Sequence, residues 1–517
     1  MENQNEGMKK SKIIGGAAND DASGIASTDQ DNIAIEEPNH ETTENYEADR
    51  PFFFSYIPKF FRFDNAPIEA TGCSINMWGR ATLIIASIFI GPALLELASV
   101  QAQSQSSCEL DDDDCLNNTK VYGFKPSSLL ANMAIMSGVV STVFLPIIGA
   151  VIDHTPHRRG VGAVTAASLT LIKIIEIGIL SPFWFSVACL QVFSAILFHL
   201  QSTSIYAYAS ELSDKSASQS KFQAHFFLVL YISSFCSLLG VLIPGKILNF
   251  NDIEIARCAI LISIITMIPC FFVSWKYLLR KRPPLSEIPE GKSLWTVGFI
   301  KLYQSYKIIR KELPAVSWFL RGLIFSEAAN VGILTISTTY MSEYLRMSAM
   351  EIGLVILTNL LAGVPGAFLG NFFCQKYKNP VFSAKLCLSL YTASTTAASL
   401  ILRPSNKQFV YLFGALWGIC SGWMHPQHTT IFVTIIPTSD SMRWMGLFIF
   451  ACNILSFLPP LVFTVLNEAG WSMQWGIASL NIFFLLGLAG LFGIGDYTKA
   501  TEAHKNDSLD SSETYDC

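Results

Sequence analysis

The sequence predicts an all-α integral membrane protein, a bundle of 12 transmembrane helices in two six-helix halves. Three observations carry this expectation. Hydrophobic residues make up 51% of the 517-residue chain and charged residues 15%, with a mean hydropathy of +0.40, whereas soluble domains are roughly one quarter charged. Twelve apolar runs of spanning length follow one another, near 78–100, 127–152, 161–180, 183–209, 225–245 and 257–277, then 314–340, 350–374, 383–402, 408–434, 444–466 and 474–496. The longest internal polar stretch separates the first six from the second six.

The organisation read from these runs begins with residues 1–75, a disordered, acidic cytosolic tail that ends in an aromatic pre-membrane segment, PFFFSYIPKFFRFDN. Residues 1–50 hold twelve Asp and Glu against four Lys and Arg and contain no Leu, too little apolar surface to offset the entropy of ordering. No basic n-region followed by an apolar h-region opens the chain, so the first span is expected to direct insertion. The first six-helix half covers 76–278, a basic cytosolic linker with an amphipathic helix 279–313, the second half 314–496 and a cytosolic C-terminal tail 497–517.

Loop charges orient the bundle. One set of loops carries Lys120, Lys125, Arg257, Arg346, Arg403 and Lys407, whereas the opposite set carries Arg158, Arg159, Lys215, Lys221, nine basic residues from Lys276 to Lys311, Lys376, Lys378, Lys385 and Arg443. The positive-inside rule assigns the richer side, and both termini, to the cytosol. The loop holding Cys108, Cys115 and the sequon Asn117-Asn118-Thr119 then faces the non-cytosolic side, where a disulfide between the two cysteines and glycosylation at Asn117 are chemically permitted. A net charge of -5 argues against nucleic acid as a partner.

In the linker, Trp295, Phe299, Leu302, Tyr306 and Ile309 recur at helical spacing opposite Lys301, Lys307, Arg310 and Lys311. This pattern suits either a helix lying in the cytosolic interface or one packed on the bundle. Gly291-Lys292-Ser293 lacks the first Gly of a phosphate-binding loop, since Ser286 stands there, and no strand precedes it. No zinc-type Cys pairing and no nucleophile elbow occurs, so neither an enzyme nor a cofactor is expected.

Charged and polar groups inside the spans point to a solute pathway, because each costs roughly 2.5–3.5 kcal/mol at mid-membrane on insertion scales unless it faces a cavity or a partner. Glu327 near the middle of the seventh span shares a helical face with Asn330, and Arg321 enters the same helix about two turns from the cytosol, where snorkelling is the alternative. Glu96 follows a Gly91-Pro92 break in the first span. His199 and Gln201 lie on the fourth span, Trp423, His425, Pro426, Gln427 and His428 on the tenth, and Lys173 and Glu176, three apart on the third, read as an ion pair. His425 and His428 have no carboxylate nearby in the sequence, so no metal site is expected.

The loop after the second span, Gly149-Ala-Val-Ile-Asp153-His-Thr-Pro-His-Arg158-Arg159, resembles the short signature of the major facilitator superfamily. Its Asp and arginines could latch helices at the cytosolic gate through an ion pair that breaks on opening. Gly366 and Gly370 in the equivalent place of the second half keep small-xxx-small spacing without the acid. Three further stretches resemble the autophagy-related vacuolar amino acid effluxer family, a branch of that superfamily: Gly91-Pro-Ala-Leu-Leu-Glu96-Leu-Ala, Pro289-Glu-Gly-Lys-Ser-Leu-Trp-Thr-Val-Gly-Phe299 and Leu458-Pro-Pro-Leu-Val-Phe-Thr-Val-Leu-Asn-Glu-Ala-Gly470. Where that family tends to carry an Asp-Gly pair and an Asn, the seventh span here reads Ser326-Glu327-Ala-Ala-Asn330.

The resemblance implies the superfamily's twelve-helix fold, a vacuolar or lysosome-like membrane, and release of neutral, leucine-like amino acids to the cytosol after autophagic breakdown. The expected mechanism is alternating access, with Glu327, joined by Glu96 or His425, exchanging a proton. Expected partners are amino acids, protons and the lipid bilayer. A receptor or scaffold with a carrier fold, or a carrier of lipid or another small solute, is the rival reading.

Overall fold

Lipid offers no hydrogen bonds to an exposed backbone, so a chain of this composition must satisfy its amides within helices. The computed structural model describes residues 50–105, 119–209, 211–212, 216–284, 287–288, 291–436 and 441–501; among these it is helical almost throughout, with one isolated bridge between Val121 and Phe124. Six helices come first: α1 Ile68–Gln105, α2 Leu129–His154, α3 Arg158–Ile179, α4 Trp184–Ala209, α5 Ser216–Leu248 and α6 Asp252–Val273. The shorter α7 Leu294–Glu312 follows. Then come α8 Pro314–Thr339, α9 Ala349–Tyr377, α10 Pro380–Ile401 and α11 Val410–Ile435. Two crossings are each built from two pieces, α12 Ser441–Asn453 with α13 Leu458–Glu468, and α14 Met473–Ala478 with α15 Leu480–Gly493. Pro459 and Pro460, which have no N–H to donate, open α13 and account for the first of these breaks.

Ten helical stretches among the described residues are long and apolar enough to cross a membrane. α10 and α11 match them in length but are more polar, and the bundle with them has the layout of the twelve expected spans. In α10 the hydroxyls of Ser389, Thr392 and Thr396 donate back to carbonyls four residues earlier, which keeps them off the lipid.

The first helix starts earlier than its apolar run. An onset at 78, and a tail ending at 75, both fall inside α1, which begins at Ile68. Glu69, Thr71, Ser74, Asn76 and Arg80 lower the hydropathy of these turns, yet all are buried. The turns pack on protein, with Gly72 against Leu278 and Leu279 and Gly79 against Phe271. The aromatic segment ahead of α1 is packed as well: Phe54 is buried, and Phe60 and Phe61 meet the Trp78 ring at 6.2 and 5.2 Å. The tail proper, and the loop with Cys108, Cys115 and Asn117, lie outside the described residues.

Close helix approach is bought with glycine in the second half. A Cβ on Gly366, Gly418 or Gly422 would sit 2.2, 2.1 or 2.0 Å from a backbone carbonyl oxygen of the facing helix, so α9 and α11 touch backbone to backbone. Gly363 and Gly370 continue the α9 face, the latter against Trp423. α7 divides its surface. Val297, Gly298, Ser305 and Ile309 are buried on the bundle, whereas Trp295, Phe299, Tyr303 and Tyr306 are exposed. The amphipathic stripe is therefore split between a protein-facing seam and an aromatic outer face.

Candidate functional site

A central cavity of about 320 Å³ lies where α1, α2 and α4 meet α8 and the residues around the α12–α13 break. α1 contributes Leu83, Ile84, Ser87 and Gly91, and α8 contributes Val331, Leu334, Thr335 and Thr338, each a stripe at three- and four-residue spacing. α4 adds Gln191, Ser194, Phe198 and His199. A second, more open hollow between α3 and α6 is lined by Ala163, Leu171, Ile268 and Phe272 and opens on the outer face of the bundle.

One turn before the α8 stripe, on the same face, sits Glu327. Its Oε1 is 2.8 Å from His428 Nδ1 and 3.6 Å from His425 Nδ1, and the Glu327 and His428 side chains are 5% and 1% exposed. His425 also meets Phe227 of α5 edge to face at 5.5 Å, and so touches both halves. Asn330 accepts a hydrogen bond from the Tyr391 hydroxyl at 3.1 Å. Gln427 is buried with its carbonyl oxygen unpartnered. The two histidines thus do have a carboxylate nearby, supplied from another helix. Among the described residues no group of three or more His, Cys, Asp or Glu has a metal-holding arrangement.

In the first half a buried charge on the opening helix is Arg80, one turn before the α1 stripe. It is buried, and donates to Gln201 Oε1 at 3.0 Å, to the Phe198 carbonyl at 3.4 Å and to the Ser202 hydroxyl, with its guanidinium 3.9 Å from the centre of the Phe198 ring. His199, next to Phe198 on α4, lines the cavity. Behind the α4 wall, Lys173 and Glu176 form a fully buried ion pair at 2.8 Å, and Glu176 accepts from Gln191 at 3.0 Å.

Two candidates stand apart from this cluster. Glu96 is exposed and is not among the cavity-lining residues. Arg321 is exposed as well, stacked 4.6 Å over Trp318 and donating to Ser317, the geometry of a snorkelling side chain.

The gate loop is wired differently from the expected latch. Asp153 pairs with Lys301 of α7 at 2.9 Å and not with the arginines beyond it. Arg158 pairs with Glu211 at 2.6 Å, Arg282 reaches Glu69 at 3.1 Å and Glu211 at 3.6 Å, and Arg159 donates to the carbonyls of Trp275 and Lys276. These ties join α2 to α7, and join α1, α3 and the segments that follow α4 and α6 to one another. Gly149 has open space around it. A cluster of ties between the halves lies at the other end of the bundle. Glu468 Oε1, at the end of α13, accepts from the Lys125 N–H at 2.8 Å and the Ser128 hydroxyl at 2.7 Å, and Asn467 donates to Ser127 and Ser128 at 2.8 Å each. Lys125 Nζ adds a bond to the Asn467 carbonyl at 3.1 Å, and Asp252 accepts from the Ala349 N–H at 3.0 Å. Sequence reasoning missed this seam although Asn467 and Glu468 lie in one of the stretches that carried the resemblance.

Comparison with known proteins gives a consistent picture. The family described as vacuole effluxer Atg22 like matches residues 209–504. Autophagy-related protein 22-1 of Aspergillus clavatus is 24% identical over 238 residues, covering 42% of this chain and 38% of that protein. Autophagy-related protein 22-2 of Aspergillus fumigatus is 22% identical over 206 residues, 38% of this chain and 32% of that protein. The chain therefore spans less than two fifths of either relative's length. Among solved structures, a mutant of the nucleoside transporter NupG matches 83% of this chain and all of its own with a TM-score of 0.57 at 9% identity. The human organic anion transporter MFSD10 matches 82% of this chain and all of its own with a TM-score of 0.53 at 14% identity. These likenesses establish the transporter-type bundle as the fold.

Proposed function

Because this chain belongs to the vacuole effluxer Atg22-like family, we propose that it is a secondary-active carrier that releases amino acids, neutral and leucine-like, from a vacuole or lysosome-like compartment to the cytosol. The observation that carries the proposal is the buried Glu327 carboxylate, held by His428 and His425 one turn from a cavity between the halves. A carboxylate and an imidazole in hydrogen-bond contact, shielded from bulk water, form a pair able to take up and return a proton.

With both termini in the cytosol, as the loop charges suggest, the seam of Lys125, Ser128, Asn467 and Glu468 closes the lumenal side, and the gate-loop ties leave the halves free to part on the cytosolic side. Alternating access then consists of exchanging these lumenal bonds for cytosolic ones. A proton delivered from an acidic lumen neutralises Glu327 and weakens its hold on the histidines, which frees α8 and α11 to shift together. The amino acid, the direction and the autophagic setting rest on the family relationship.

The test is uptake of labelled neutral and basic amino acids into proteoliposomes holding the purified protein, with and without an imposed pH gradient. Gradient-sensitive flux of leucine-like solutes is expected. An absence of flux for every amino acid in the panel overturns the reading and turns attention to lipids, other solutes or a scaffold role.

A further inference from the structure

Arg80 and Glu327 occupy equivalent places in the two halves. Each lies on the opening helix of its half, twelve residues beyond Ile68 and thirteen beyond Pro314, and each stands one turn before the stripe by which that helix lines the cavity. Glu327 has histidine partners; Arg80 has no carboxylate partner among the described residues. Its acceptors are all neutral: a carbonyl, an amide oxygen and a hydroxyl. A permanently charged guanidinium buried at this depth without a counter-ion is poorly compensated by neutral dipoles alone. An anion brought to it recovers much of that loss, and a planar carboxylate fits the guanidinium fork in two-point contact.

The route to it is short. Phe198 lines the cavity, and the Arg80 guanidinium lies 3.9 Å from the centre of its ring. Gln201 Nε2 is buried beside it with no hydrogen-bond partner, a second donor ready for the same anion.

We infer that Arg80, with Gln201, is the carboxylate anchor for the solute that enters this cavity. The inference deepens the amino acid carrier reading and rests on it for the nature of that solute, while the anchor itself requires only a carboxylate. Phe198 swings aside as the carboxylate arrives, and the solute's apolar part occupies the space lined by Leu83, Ile84 and Leu334.

Equilibrium binding of labelled leucine to the full-length protein in nanodiscs, competed by leucinamide and by isocaproate, tests this directly. Isocaproate keeps the carboxylate and lacks the amine; leucinamide keeps the amine and lacks the carboxylate. Leucine and isocaproate are expected to compete and leucinamide to fail. Arg80→Gln is expected to weaken leucine and isocaproate binding about tenfold or more, with Arg80→Lys partly restoring it. Competition by leucinamide equal to that of leucine, or an Arg80→Gln protein with unchanged leucine and isocaproate affinity, overturns the anchor and leaves Arg80 a structural tie between α1 and α4. Should Arg80→Gln fail to fold, the wild-type ratio of leucine to leucinamide affinity together with Arg80→Lys decides the question. Arg80-dependent isocaproate binding without any amino acid flux sustains the anchor while removing the amino acid reading, and a wild-type protein that binds no carboxylate removes the anchor.

Discussion

His428 Nδ1 lies 2.8 Å from Glu327 Oε1, and the other ring nitrogen, Nε2, is buried without a hydrogen-bond partner. The ring is thus hydrogen-bonded to the protein through Nδ1 alone. His425, at 3.6 Å, makes the longer contact with the carboxylate and also meets Phe227 of the first half.

Glu327→Gln preserves size and removes the charge. Gradient-driven uptake is expected to fall by roughly ten- to hundredfold, the worth of one charge-assisted hydrogen bond, while exchange of solute across the membrane at equal pH falls less. His425→Asn is expected to have the smaller effect because its contact is longer. Uptake by Glu327→Gln that keeps the wild-type response to a pH gradient removes this residue from proton coupling.

Glu327, Asn330, His199, His425 and Gln427 were legible in the sequence because a polar residue in an apolar run is conspicuous against its neighbours. Arg80 was not, for the opposite reason. The first turns of α1 are rich in Glu69, Thr71, Ser74 and Asn76, so the apolar run begins too late and Arg80 looks like a residue at the membrane surface. With the true onset at Ile68 it is twelve residues in, about 18 Å at the helical rise. Hydropathy registers lipid contact, and these turns are buried by α6 instead. Glu96 failed from the other direction, since the run marks depth and cannot say which side of a helix faces the cavity. The partnership of Asp153 with Lys301 depends on where α7 docks, which no local pattern in either segment encodes.

The contact between α9 and α11 should tolerate no side chain at Gly422, where a Cβ would fall 2.0 Å from the Gly363 carbonyl oxygen. Gly422→Leu is expected to cost at least about 1–3 kcal/mol through overpacking, read as a lower melting temperature in detergent. Gly178, with nothing within 4 Å of an added Cβ, is the control. Gly178→Ala should leave stability unchanged or raise it by about 0.5–1 kcal/mol. Equal melting temperatures for Gly422→Leu and wild type would show that the backbone contact is dispensable.

At the opposite end of the bundle from the start of α1, Glu468 gathers the Lys125 N–H and the Ser128 hydroxyl into one carboxylate. Glu468→Ala removes both charge-assisted bonds, each worth about 1.5–3 kcal/mol, and leaves two α2-side donors unpaired. The balance should shift toward the state open at that end. A cysteine introduced at Thr338, on the cavity stripe of α8, is then expected to react faster with a membrane-impermeant maleimide applied from that side. Unchanged labelling relative to the Glu468-containing protein would mean that the seam does not hold the gate.

The Lys173–Glu176 pair bears on stability and on the cavity together. Both side chains are fully buried at 2.8 Å, so neither charge is screened by water, and removing one partner strands the other. Lys173→Met is expected to destabilise the protein by about 3–5 kcal/mol, whereas the double change Lys173→Met with Glu176→Gln should recover most of this, because no charge is left and the amide still accepts from Gln191. Thermal melting of the two variants measures the difference. Glu176 also orients Gln191 on the cavity wall, so the single variant should bind solute more weakly even at temperatures where it is folded. A double variant no more stable than Lys173→Met would show that the cost lies in lost packing around the lysine stem and not in the stranded carboxylate.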